Sequence, residues 1–376
     1  MTSRERMMTA MRRGTPDRVP VAARMGKFMR KYYAHVPDML TRLLMAHEEF
    51  GNDIFAYGPC APLPCFAPVG TPWRDDVEVE IRHEVRDGMN WWERTIHTPA
   101  GDLHDIKRAL IIETGSGSGP EIVEPLVKDF SRDLPRIVYM MPDPKKTIDL
   151  AQYARMDEAI AERGIVVGTT YGCIDCRDVL TQADFLVLAH DDPGAFQEIV
   201  RIGGEAMMAE TRYLLEAGRR VIKCWWFYTS PSAGWSPSIY EKMFLPWVHK
   251  HVALVHDYGG IYIYYDDGKM GRFIDFYVDA GIDVLMTLTP PPMGDADPRT
   301  IKEKYGHRVC LMGGFDAVNE IWLGTPEKIR RTVEQRLSIY KPGGGYIMDG
   351  SNIIPYETPV ENVRAFIQAG RDFGQY

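Results

Sequence analysis

Short apolar runs rich in β-branched and aromatic residues recur along the chain at 18–25, 53–57, 164–172, 220–228, 261–265, 283–288, 309–316 and 345–350. Each is followed by Gly, Pro or Asp and usually by a helical pattern, the mark of βα repeats around a parallel sheet. Eight such runs are the number that closes a (β/α)8 TIM barrel, and this α/β class is the predicted fold. Apolar residues at helical spacing predict helices within 39–51, 193–218, 237–260, 270–281, 325–345 and 358–376. In the fifth of these, Thr325 opens the helix and a Pro-Gly run ends it. From about 77 to 112 the period changes to strict alternation around Asp87-Gly88 and Pro99-Ala100-Gly101. That predicts antiparallel β-hairpins inserted at about 75–115, between barrel strands two and three, within a single domain spanning 1–376.

Composition narrows the function classes. With 376 residues, 45% of them hydrophobic, the chain buries a large core. The net charge of −8, with basic residues only in scattered pairs, argues against nucleic acid as a partner. The N-terminal stretch alternates charged and apolar residues without the unbroken apolar run of a signal peptide or membrane span, so a cytoplasmic protein with no membrane partner is expected. Six cysteines in a chain of this length predict reduced thiols rather than a disulfide framework.

A barrel builds its active site at the C-terminal ends of its strands. Here that rule selects Arg24 after strand one, Tyr57 after strand two, and Tyr171, Cys173, Asp175 and Cys176 after strand three. It then selects Trp226 and Tyr228, the trio Tyr265, Asp266 and Asp267, then Thr289, then Asp316, and finally Asp349, Ser351 and Asn352. The paired acids have two readings. One of them faces the pocket as an acid, base or metal ligand with a raised pKa, or they accept bonds from the free amides around residues 268–271 as a helix cap. Cys173 and Cys176 have CxxC spacing without a second pair, which leaves metal, redox chemistry or ordinary loop thiols open. Cys224 reads as a packing thiol. His249, His251 and His256 precede strand five, at the end of the barrel away from the site, and read as surface or helix-end residues.

The segments "RERMMTAMRRGTPDRVPV", "SPSIYEKMFLPWVHKHVALVHDYGG", "DGKM", "YGHRVCLMGGFDAV", "GTPEKIRRTV", "KPGGGYIMDGSNIIP" and "TPVENVRAFIQAGRDFGQY" together resemble the uroporphyrinogen decarboxylase superfamily over essentially the whole chain. The resemblance implies one of two activities: cofactor-free decarboxylation of uroporphyrinogen, or zinc-assisted methyl transfer involving a corrinoid. The decarboxylases' Arg-Gln-Ala-Gly-Arg segment is replaced here by "ARMGKFMRKYY", and Ser351 stands where they carry a His in a Gly-His-Gly turn. The methyltransferases' zinc ligands, a His-x-Cys pair and a later Cys, correspond to Tyr265, Asp267 and Ser351. Asp267 then becomes either a ligand to a harder metal ion or a general acid that replaces the metal at a methoxy oxygen.

The resemblance therefore implies a methyltransferase-like, corrinoid-dependent O-demethylase. Asp267, Tyr265 and Ser351 are its expected catalytic group, and Arg24, Tyr171, Trp226, Tyr228 and Asp316 its expected substrate contacts. The methyl group of a small methoxylated or methylated substrate would pass to a corrinoid (cobalamin) carried by a separate corrinoid-binding protein, with a homodimer as an open option. A metal-independent decarboxylase or lyase acting on a small carboxylic acid, and a non-catalytic ligand-binding protein, are the alternatives.

Overall fold

The computed structural model describes residues 1–60, 74–111, 120–174 and 179–376. Seven parallel strands form one curled sheet in the order β1 (Ile54–Tyr57), β6 (Gly164–Tyr171), β7 (Val221–Trp225), β8 (Ile261–Tyr265), β9 (Val284–Thr287), β10 (Cys310–Phe315) and β11 (Tyr346–Gly350). The intervening β2 (Glu78–Arg86), β3 (Met89–Thr98), β4 (Gly101–Leu110) and β5 (Glu121–Glu124) form a separate antiparallel sheet.

The first predicted barrel strand is extended but irregular. Val21 bridges Met348 in parallel, the Met348 N–H donates to the Pro20 carbonyl at 2.9 Å, and the Asp53 N–H donates to the Val21 carbonyl at 2.7 Å. The segment thus bonds to β11 on one side and to the residue preceding β1 on the other, and the arrangement is TIM-like. Proline explains the irregularity, since Pro20 has no N–H for a ladder. The segment is also held by a buried carboxylate. Asp53, fully buried, accepts from Arg6 at 2.9 Å, Arg18 at 2.8 Å and the Val21 N–H at 2.8 Å.

Alternation along the strands sorts their side chains into two layers. Ile165, Val167, Ile261, Ile263, Met286, Met312 and Ile347 pack with one another inside the curl, where Met7, Ala10 and Met11 of the helix Ser3–Met11 join them. The intervening residues, among them Val166, Ile222, Cys224, Tyr262 and Tyr264, pack outward against the helices. At about 1.5–3 kcal/mol per fully buried large apolar side chain, these two layers supply the main favourable term of folding.

The second sheet turns between β2 and β3 at Asp87 and Gly88, which have φ of 52° and 70°, the conformation that favours Gly and Asp in tight hairpins. It runs through Glu124, beyond the expected limit of 115, because β5 adds a fourth strand. The helices Leu150–Ile160 and Pro298–Tyr305 were not anticipated from periodicity; Asp149 and Asp297 cap them by accepting from the N–H groups of Gln152 and Thr300. Among the described residues, no helix is long and apolar enough to cross a membrane.

Candidate functional site

Strand β8 decides the geometry of the paired acids. Ile263 and Tyr265 face the interior cluster and Tyr264 the outer one, so continued alternation carries Asp267 inward and Asp266 outward. Tyr265 donates its hydroxyl to Asp267 Oδ2 at 3.2 Å. Asp266, fully buried, accepts the Tyr277 hydroxyl at 2.8 Å and the Asp267 N–H at 2.7 Å, while its carbonyl accepts from the Thr287 hydroxyl. Neither acid caps the following turn. The Met270 and Gly271 amides bond to Asp295 at 3.0 Å and the Lys269 amide to Ser232 at 2.8 Å.

Electrostatics separate the two acids further. Burial raises the Asp266 carboxyl well above its ordinary range, against the Tyr277 hydrogen bond that favours the ionised form. Burial also raises Asp267, with Arg24, Tyr265 and Lys223 opposing it. Asp267 is half-buried, so of the two it is the acid with access to a ligand. Both environments favour the neutral form by desolvation.

An arginine and a lysine share the space around Asp267. Arg24 donates from Nε to Asp349 Oδ2 at 2.6 Å and from Nη2 to the Gly350 carbonyl at 2.8 Å, with its guanidinium 5.3 Å from the Tyr265 ring centre. Burial, only partly offset by Arg24, pushes Asp349 up to about 6. Lys223 is fully buried in mid-strand β7. Its Nζ lies 4.2 Å from the ring centre of Tyr57, 3.8 Å from that of Trp225 and 4.2 Å from that of Tyr265. No hydrogen-bond partner for this nitrogen is present among the described residues. Burial, then the Arg24 charge, lowers the amine well below the usual lysine range. Faces of aromatic rings hold an amine without supplying an acceptor.

Aromatic side chains surround this polar floor. Tyr171 packs on Trp225 at a ring separation of 4.3 Å, and Phe227 lies 6.2 Å from Tyr265 and 4.2 Å from Tyr228. All of these except Tyr265 are partly exposed. A cavity of about 560 Å³ extends from Arg24 and Tyr57 past Met29, Leu43 and Met156, a volume within the range of small-molecule sites.

Of the expected residues, the structure brings together Arg24, Tyr265 and Asp267, with Tyr171 and Tyr228 in the aromatic surround. Ser351 is buried at the end of β11 and donates its N–H to the Phe315 carbonyl at 2.6 Å; no hydrogen bond to Asp267 is present. Trp226 belongs elsewhere. It stacks on Tyr264 outside the curl and donates to the Tyr262 hydroxyl at 2.8 Å, while Trp225, one residue earlier, faces the site. Asp316 is a cap, accepting from the Val318 and Asn319 N–H groups at 2.9 Å and from the Asn319 side chain at 2.7 Å. Its carboxylate is used up by these local bonds. His251 is not on the surface: it is fully buried, bonded to Thr211 at 2.6 Å and Tyr262 at 3.1 Å, and held neutral by burial.

Cys173 is a buried thiol, pushed well up by burial, and Asp175 and Cys176 lie outside the described residues. Cys224 packs beside Met207. Strand-end reasoning passes over Lys223, although a lone lysine inside the otherwise apolar run "VIKCWW" is a visible signal.

The residues at the family's zinc positions do not make a zinc site. Tyr265 and Ser351 replace imidazole and thiolate, Arg24 places positive charge beside Asp267, and no group of three His, Cys, Asp or Glu suited to a metal occurs among the described residues.

The chain resembles known proteins over most of this architecture. A methyltransferase from Methanosarcina mazei superposes with a TM-score of 0.67 at 17% identity, covering 99% of each chain, a likeness of fold. Uroporphyrinogen decarboxylase of Pseudoalteromonas translucida (strain TAC 125) is 30% identical over 144 residues, 37% of this chain and 38% of that protein. The enzyme of that name from Cellvibrio japonicus (strain Ueda107) is 24% identical over 191 residues, 49% and 50% of the two chains. The match thus spans about two fifths to one half of these curated relatives. Residues 111–373 match the family description "Uroporphyrinogen decarboxylase (URO-D)", and the chain belongs to the uroporphyrinogen decarboxylase family.

Proposed function

We propose that the protein is a methyltransferase-like enzyme that demethylates a small methoxylated aromatic substrate, with the neutral carboxyl of Asp267 as the acid at the leaving oxygen. The observation that carries this reading is the placement of Asp267. It is half-buried at the end of β8, raised by desolvation, and bonded by Tyr265 on Oδ2. An aryl methyl ether resists methyl loss because a bare phenoxide is a poor leaving group. As the methyl–oxygen bond breaks, its electron pair stays on oxygen, which takes the Asp267 proton; Tyr265 then stabilises the new carboxylate. The rings of Tyr171, Trp225 and Phe227, inclined to one another by 59° and 60°, form an apolar surround suited to an aromatic substrate. The fold likeness to the Methanosarcina mazei methyltransferase supports the same class. A corrinoid on a partner protein would supply the nucleophilic cobalt that accepts the methyl group, and the half-exposed aromatic rim is the face it would approach.

The test is incubation of the protein with a methoxybenzoate and reduced cobalamin, followed by the absorption of methylcobalamin. Methyl transfer by the wild type and its loss in Asp267→Asn are expected. Equal rates in both would overturn the acid role, and no transfer from any methoxybenzoate would overturn the activity.

A second reading is favoured by one observation, the presence of both Arg24 and Lys223 in the site. Two such groups suit a small carboxylic acid that is cleaved or decarboxylated without metal.

A further inference from the structure

Lys223 has no part in the proton transfer at Asp267, yet it is the least explained group in the barrel. A buried lysine ordinarily finds a carboxylate or a carbonyl, because an unpaired polar group away from water is costly. Here Nζ is bounded by three aromatic rings and has no hydrogen-bond partner among the described residues. Thr169, its register partner on β6, likewise has a buried hydroxyl with no partner among those residues. Two buried polar atoms without a partner among the described residues thus sit at one level of the inner wall.

The neighbours define the chemistry. Arg24, whose charge acts on Lys223, also lines the cavity that reaches Tyr57, and Tyr57 touches the amine. Arg24 and Tyr57 both line that cavity, and the amine lies against the Tyr57 ring. Asp267 acts electrostatically on the same amine. A guanidinium, a desolvated amine and a carboxyl whose ionised form burial disfavours are the groups that imine formation uses.

We propose that Lys223 is a nucleophilic amine that captures the ketone of a small 3-oxo acid as an imine, with Arg24 holding the carboxylate. The nitrogen lone pair forms the N–C bond while the carbonyl π pair moves to oxygen. That oxygen receives one proton from the amine and one from Asp267 and leaves as water. The resulting protonated imine accepts the electron pair of the carbon–carboxylate bond, carbon dioxide departs, and the enamine carbon takes a proton from solvent water, Asp267 regaining its own when the imine is hydrolysed. Hydrolysis returns the amine and a ketone, so no oxidant, reductant or metal is consumed. This activity does not rest on methyl transfer.

The experiment is reductive trapping on the full chain. The protein is incubated with acetoacetate and cyanoborohydride near neutral pH, digested and mapped by mass spectrometry, with acetone as the carboxylate-free comparison. The expected result is a reduced adduct at Lys223 that forms at least ten-fold faster than at any surface lysine, faster with acetoacetate than with acetone, and absent in Lys223→Met. Because the adduct is mapped on the wild-type chain, the outcome does not depend on the variant folding. Labelling confined to surface lysines, or labelling of Lys223 no faster than theirs, overturns the proposal.

Discussion

Asp266 and Asp267 are adjacent in the chain, and their carboxyl groups lie on opposite sides of the barrel wall. Tyr277 holds the first outside at 2.8 Å and Tyr265 meets the second inside at 3.2 Å. The two residues therefore separate experimentally. Asp267→Asn is expected to lower kcat by at least about a hundred-fold, the usual contribution of a general acid, with little change in stability. Asp266→Ala leaves the Tyr277 hydroxyl and the Asp267 amide unsatisfied, and is expected to cost about 1–3 kcal/mol in urea unfolding. The reverse pattern would place the wrong acid in the site.

The same alternation distinguishes Trp225 from Trp226. Trp226→Ala empties a fully buried position between Tyr264 and Tyr262, with an expected loss of about 3–5 kcal/mol. Trp225→Ala removes a half-buried ring of the site, and is expected to raise KM with a smaller stability loss. Comparison of KM and urea midpoints for the two variants checks this.

Two buried groups make stability depend on pH in opposite directions. Asp349 rises from 3.8 to about 6, so the folded state binds the extra proton and its contribution falls as pH rises through that window. His251 drops from 6.5 to about 3, so the unfolded state binds the extra proton and stability falls as pH drops through that window. Urea unfolding against pH should show a smaller acid-side loss in His251→Asn than in the wild type. It should also show a weaker decline between pH about 4 and about 6 in Asp349→Asn.

Much of this was legible in the chain. The predicted run at 261–265 coincides with β8, and that at 345–350 exceeds β11 by one residue at its start, because fully buried strands bounded by Gly and Asp leave a strong composition signal. The first run was placed correctly but is no regular strand, since Pro20 breaks the ladder. Trp226 was misassigned by one residue, the smallest error that reverses a side chain's direction in a strand. Asp316 is a ligand contact by strand-end reasoning, but it bonds to the amides and side chain of the residues that follow it. Asp297-Pro298 is likewise a helix start that hydrophobic periodicity overlooks. The aromatic cage around Lys223 draws Tyr57, Trp225 and Tyr265 from three strands. Such a cluster exists only after the sheet curls, and strand-end reasoning passes over a residue in mid-strand.

Replacement of His and Cys by Tyr265, Asp267 and Ser351, beside Arg24 and Lys223, predicts a protein that retains no stoichiometric zinc. Elemental analysis of the purified wild type beside Asp267→Ala checks this. Near-stoichiometric metal that disappears in the variant would return Asp267 to the role of ligand.

Acid catalysis at the leaving oxygen requires that Asp267 carry a proton at neutral pH. Infrared difference spectroscopy of the wild type against Asp267→Asn measures it directly, because Asp266 and Asp349 are present in both proteins and cancel. A carbonyl band of a protonated carboxylic acid, found in the wild type near neutral pH and missing from the variant, is the predicted result. A carboxylate band in its place would contradict acid catalysis by Asp267.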